Sequence, residues 1–125
     1  MINFLAFYRN IAHIHTDKEL NRRFSKVKET ISTLFKQNKL IVKTNTELQS
    51  YDFNKIGMDT FVYSKKDTKT LCLLRHIRNS IAHWNINFYK KEHKYFVIQD
   101  YNQSGGQTAY GIISIETFTV LLGLQ

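Results

Sequence analysis

The hydrophobic period changes from helical to strand-like at Trp84. Before it, apolar residues recur at three- and four-residue steps, the spacing of one helix face. After it, Ile86 and Phe88 alternate with polar residues, and two runs, Tyr95 to Ile98 and Tyr110 to Ile113, flank a polar Gly105-Gly106 turn. That is the period-two pattern of strands. The chain thus divides into a helical part, about residues 1–84, and a strand-rich tail, about 85–125. The expected fold is mainly α: a helical bundle with a small antiparallel β-hairpin or three-stranded sheet near the C-terminus. At 125 residues, one domain over 1–125 is the expected organisation.

Three helices are legible before the change of period. The first, about 2–13, is carried by Phe4, Leu5, Tyr8, Ile11 and Ala12. The second has a start signal: Thr16-Asp17-Lys18-Glu19 fits a capping box,. Leu20, Phe24, Val27, Ile31, Leu34 and Phe35 then form a single apolar stripe, with Lys18, Arg22, Arg23, Lys26, Lys28 and Lys36 around it. The third begins near Asp67-Thr68, both good N-caps, and runs to His83,. Residues 44–66 read as a loop with a short helix or strand, and Ser114 caps a last helix through Leu122.

Composition narrows the class. The chain has no proline, so long uninterrupted helices are allowed,. One cysteine, Cys72, excludes an intrachain disulfide framework and a Cys₄ or Cys₂His₂ zinc site,. No apolar stretch approaches the roughly 18 residues a membrane span needs, and no basic leader precedes the apolar N-terminus. A cytoplasmic location with no membrane partner is the expectation. The net charge is +8, and residues 1–43 hold nine Lys or Arg against three acids. A basic small domain of this kind suits a polyanion such as RNA, although a solvated basic face gives the same composition.

The third helix carries the candidate chemistry. Projected at about 100° per residue from Arg75, Leu73, Leu74, Ile77, Ile81 and Trp84 fall between about 160° and 260°. That stripe is expected in the core, Trp84 included. Arg75, Arg78, Asn79, Ala82 and His83 share the opposite face. Arginine offers a planar fork of donors matched to phosphate oxygens, and histidine titrates near neutrality. Asn79 and His83 are one turn apart, close enough for the amide to orient the ring or hold a substrate oxygen. A solvated polar face ending in a dipole-compatible histidine shows the same spacing.

Leu74-Arg75-His76-Ile77-Arg78-Asn79-Ser80-Ile81-Ala82-His83 resembles the signature helix of the HEPN domain (higher eukaryotes and prokaryotes nucleotide-binding). Arg78, four residues and His83 fit that family's Arg-x₄-His form, with the polar Asn79 directly after the arginine. The detailed resemblance covers about residues 71–84. It implies an HEPN-like helical bundle and a metal-independent endoribonuclease of toxin–antitoxin or antiphage type, with no cofactor. On that carry-over Arg78 binds the scissile phosphate, His83 transfers a proton, and Asn79 positions one of them. Arg75 and Trp84 add RNA contacts. The RNA 2′-hydroxyl attacks and leaves a cyclic phosphate. A homodimer through the motif helix and an antitoxin protein are the implied partners. Other members of the family are catalytically silent and bind RNA or a partner protein, and a subunit of a larger assembly is a third reading. Many relatives carry glycine after the histidine, where this chain has Trp84.

The remaining signals are weaker. His13 and His15 lie about 200° apart on a helix and cannot share an ion, so no metal site is expected. His76 falls at the edge of the polar face and reads as solvated. Cys72 projects toward the polar side. Tyr95, Phe96, Tyr101 and Tyr110 suit either a base-stacking platform or core, and core is the expectation.

Overall fold

The structure, a computed structural model, describes residues 4–11, 14–37, 39–44, 57–64, 69–90 and 92–122. Among them run helices α1 (Phe4–Ile11), α2 (Asp17–Arg23) and α3 (Ser25–Lys36), strands β1 (Ile41–Thr44) and β2 (Thr60–Tyr63), and helix α4 (Lys69–Ala82). Strands β3 (Ile86–Lys90), β4 (Lys94–Tyr101) and β5 (Gln107–Ser114) and helix α5 (Ile115–Leu122) follow.

The expectation of a mainly α bundle is overturned. The five strands form one mixed sheet in the order β1-β2-β5-β4-β3. The anticipated three-stranded piece is present, with β4 antiparallel to both β3 and β5. The sheet continues through β2, antiparallel to β5, and β1, parallel to β2. Those two strands are four residues each. A run that short spans only about one helical turn, so the period that separates strand from helix has no room to show itself. Thr60-Phe61-Val62-Tyr63 is nevertheless β-branched and aromatic throughout and buried at every position,.

The second helix is also divided. Thr16 caps α2 as expected, its side chain accepting from the Glu19 amide at 3.2 Å. Phe24 then leaves helical geometry at φ −140°, ψ 59°, and α3 starts anew. No glycine or proline announces the break. Leu20 and Ile31 stay buried on either side of it, with Phe24 packed against the core between them. Tertiary packing decides the break, and the apolar stripe survives it.

Helix α4 touches the sheet through β2 and β4 and the N-terminal helices through α1 and α3. Its stripe of Leu73, Leu74 and Ile77 is fully buried. Facing it from β4 and β5 are Phe96, Ile98, Ala109 and Ile113. Gly111 sits where β5 passes between Phe61 and Ile98. A Cβ there would lie 2.9 Å from the Phe61 ring, so the close approach needs glycine,. Ser114 caps α5 as expected, accepting from the Thr117 amide at 3.3 Å. Asp59 binds the same corner, accepting from the Ser114 amide at 2.8 Å and taking the Ile41 amide on its own carbonyl. The expected N-cap at Asp67-Thr68 lies outside the described residues, as do His13, Phe53 and Ile56.

Candidate functional site

The expected site residues come from one helix, and a strand the sequence did not implicate organises them. On β4, Phe96, Ile98 and Asp100 alternate toward α4, and all three are buried. Asp100, only 3% exposed, is a carboxylate in the row of core positions. Its Oδ2 accepts from Asn79 Nδ2 at 3.0 Å and lies 2.8 Å from His76 Nδ1. Its Oδ1 accepts from the Tyr101 amide at 2.9 Å. A carboxylate only accepts, so the His76 proton sits on Nδ1. The register with β5 shifts between Asp100 and Tyr101, and irregularities of this kind commonly re-aim a side chain beside a site.

His76 is therefore not the solvated edge residue its helical angle suggested. Its side chain is 14% exposed and its ring lies 5.8 Å from Phe61 and 6.1 Å from Tyr63. Strand β4 closes over that edge of the helix, which a projection of α4 alone does not contain. The available signal was Asp100 itself, a lone acid at an inward strand position.

Asn79 joins the carboxylate to Arg78. While its Nδ2 donates to Asp100, its Oδ1 accepts from Arg78 Nε at 3.2 Å and Nη2 at 3.0 Å. The amide thus holds the guanidinium. Burial pulls the Arg78 pKa down, as does the positive charge of Arg75, while Tyr8 and Asp100 act the other way. A cation destabilised by burial and by a second cation gains most from an anion. Arg75, half-buried, lines a polar cavity of about 140 Å³ with His76, Asn79, Asp100, Tyr101 and Asn102.

His83 is exposed in the turn after α4, its amide bonded to the Asn79 carbonyl at 3.0 Å. It lines a second cavity with Asn85, Tyr101, Asn102 and Gln103. Tyr101 and Asn102 border both cavities, so the polar side of α4 from Arg75 to His83 faces one continuous wall of β4 and its turn. Ser80 fastens helix to strand, its Oγ lying 2.7 Å from the His76 carbonyl and 2.6 Å from that of Gln99.

Trp84 contradicts its expected place in the core: it is 85% exposed. The helix ends one residue too early for the projection to hold. The Trp84 amide bonds to the Ile81 carbonyl, the Asn85 amide to the Ser80 carbonyl, and Trp84 itself has φ 56°. That is a Schellman C-cap, whose left-handed position usually holds glycine. An L-residue there costs roughly 1–2 kcal/mol. The turn swings the indole away from the stripe, beside an apolar hollow lined by Leu5, Tyr8, Ile81 and Ile86.

Two smaller expectations also change. Cys72 lies on the polar side, lining the cavity with Arg75, His76 and Asn79, but is buried rather than exposed. Of the strand aromatics, Phe96 is core as expected, but Tyr95 and Tyr110 are half-buried and Tyr101 is exposed. Tyr89 stacks on Tyr95, with ring centres 5.4 Å apart. Among the described residues no group of His, Cys, Asp or Glu could hold a metal ion, and no helix is long and apolar enough to cross a membrane.

Arg75, Arg78, Asn79 and His83 thus lie along one side of α4, and the family that the whole chain matches suggests a nucleotide-binding or RNase-like kind of module. Residues 1–123 match the family described as HEPN pEK499 p136, and the chain belongs to it. No curated protein and no solved structure matches the chain.

Proposed function

We propose that the protein is a metal-independent endoribonuclease that cleaves single-stranded RNA, in the setting of a toxin or antiphage nuclease. The observation that carries this reading is the Asp100–Asn79–Arg78 chain of hydrogen bonds beside an exposed His83. It fixes one cationic donor group and leaves one titratable ring open to a substrate. Family membership supports the same class.

In the proposed reaction Arg78 holds the scissile phosphate and meets the negative charge that grows on it, aided by Arg75. The RNA 2′-oxygen forms a bond to phosphorus as its proton passes to a base. The bond to the 5′-oxygen breaks, and that oxygen takes a proton. The products are a 2′,3′-cyclic phosphate and a 5′-hydroxyl. His83 is the proton carrier. A homodimer with the two α4 helices facing each other supplies a second histidine, so that one accepts while the other donates.

The test is cleavage of single-stranded RNA with and without EDTA by wild type, Arg78→Ala, His83→Ala and Arg75→Ala, with thermal melts alongside. EDTA is expected to have no effect. Loss of a charge-stabilising donor at Arg78 costs about 3–4 kcal/mol of transition-state binding. Loss of the proton carrier costs about 10²- to 10⁴-fold in rate, and Arg75→Ala only weakens cleavage. Folded Arg78→Ala and His83→Ala variants that cut at the wild-type rate would overturn the proposal. A wild type that binds RNA without cutting it would replace it with a silent binding module.

A further inference from the structure

Trp84 combines three features that are costly or unusual singly. It occupies a left-handed backbone position, at φ 56°, that glycine would fill without strain,. It exposes 85% of the largest apolar side chain, the only tryptophan in the chain. It directly follows His83 in the chain. Strain of this kind persists where the surrounding structure enforces it, and it gathers at binding sites. Here the enforcement is visible. The Asn85 amide is bonded to Ser80, the Asn85 carbonyl accepts from the Gln99 amide at 3.0 Å, and Ser80 is itself fastened to β4.

We propose that Trp84 is a stacking platform for the RNA base next to the phosphate held by Arg78 and His83, with Tyr8 forming the second wall. The proposal rests on the RNA-cleaving reading and names the substrate contact beside its site. The occupant follows from charge and shape. Tyr8 lines the hollow with Trp84 and lies within electrostatic reach of Arg78. The surface therefore offers a cation, Arg78, within reach of a flat aromatic face. A nucleotide presents the complement, an anion joined to a flat ring, and every base has a face that can stack. The net charge of +8 favours the same polyanion,.

Because Trp84 is the sole tryptophan, intrinsic fluorescence reads this position directly. The experiment titrates full-length protein with a single-stranded oligoribonucleotide methylated at every 2′-oxygen, which has no nucleophile and stays intact. Inorganic polyphosphate serves as the baseless control. The oligonucleotide is expected to quench the indole and polyphosphate is not. Trp84→Gly, followed by anisotropy of a labelled oligonucleotide, is expected to bind about tenfold more weakly. The same variant is expected to melt about 4 °C higher, because the backbone strain is gone. Weaker binding in a more stable protein separates a ligand contact from a structural role. Unquenched fluorescence at saturating oligonucleotide, or wild-type affinity in Trp84→Gly, would overturn the stacking role while leaving cleavage untouched. Quenching by a protein that cuts no RNA upholds the platform and removes the catalytic reading instead. An indole signal that shifts on dilution without RNA and is not quenched further by the oligonucleotide would assign the surface to a second copy of this chain and also overturn the proposal.

Discussion

The two ends of α4 have opposite surroundings. Thr70 to Leu74 are all buried, among β2, β4 and the N-terminal helices. Ala82, His83 and Trp84 are all exposed. Between them, Arg75, His76, Arg78 and Asn79 are half-buried, and the last three are tied to one another or to β4. One helix therefore runs from core through a hydrogen-bonded middle to an open end. Its position is fixed at the buried end, and the chemistry proposed for it sits at the open end. Mutations along it should lose stability at the first end, couple stability to activity in the middle, and spare stability at the last.

The largest stability effect belongs to the buried end. Leu73 is 0% exposed, and Leu73→Ala should cost about 2–5 kcal/mol in urea unfolding. A loss under about 1 kcal/mol, typical of surface sites, would break the contrast. Asp100→Ala tests the middle. It strips the acceptor from His76 Nδ1, Asn79 Nδ2 and the Tyr101 amide together. Leaving such groups unpaired costs about 1–3 kcal/mol. Cleavage should fall further than the folded fraction does, because Asn79 no longer holds Arg78 in place. Activity that tracks folded fraction alone would make Asp100 purely structural.

The smallest effect is expected at Tyr63, whose hydroxyl is buried and has no hydrogen-bond partner among the described residues. Tyr63→Phe removes that group and should be neutral or stabilising by about 1 kcal/mol. Burial pushes the Tyr63 phenol pKa up, with the nearby Cys72 adding to the rise. The folded state thus keeps its proton where the unfolded state loses it. This share of stability is complete below about pH 10 and is lost as pH climbs above it, in wild type but not in the variant.

The readable parts of the chain are those whose signal is local. The stripe of Leu73, Leu74 and Ile77, the Thr16 cap, the strand alternation after Trp84 and the Ser114 cap each need only a few neighbours in sequence, and each is present. What the sequence hid was decided across the fold. β1 and β2 are too short to display a period. Asp100 is ordinary until β4 turns it toward α4. Trp84 belongs to the apolar stripe by angle and leaves it because the helix stops at Ala82. That Arg78, Asn79 and His83 share the polar side of α4 was legible in the sequence, whereas the pairing of Asn79 with Asp100 needed the fold.

The position of β5 has a consequence for how the chain matures. It is the central strand of the sheet and the last in sequence among those described. β1 can pair with β2, and β3 with β4, while the chain is still being synthesised. The two halves stay separate ribbons, each with an unpaired edge, until residues 107–114 emerge to join them. Strand edges of that kind template misassembly, and closing the β2–β5 pair spans some fifty residues, a slow non-local step. A ribosome stalled before β5 would hold a chain with two open edges and no completed sheet beneath α4. The Arg78–His83 surface would then appear only after residues 107–114 have been made, a built-in delay for a protein whose proposed substrate surrounds it as it is made.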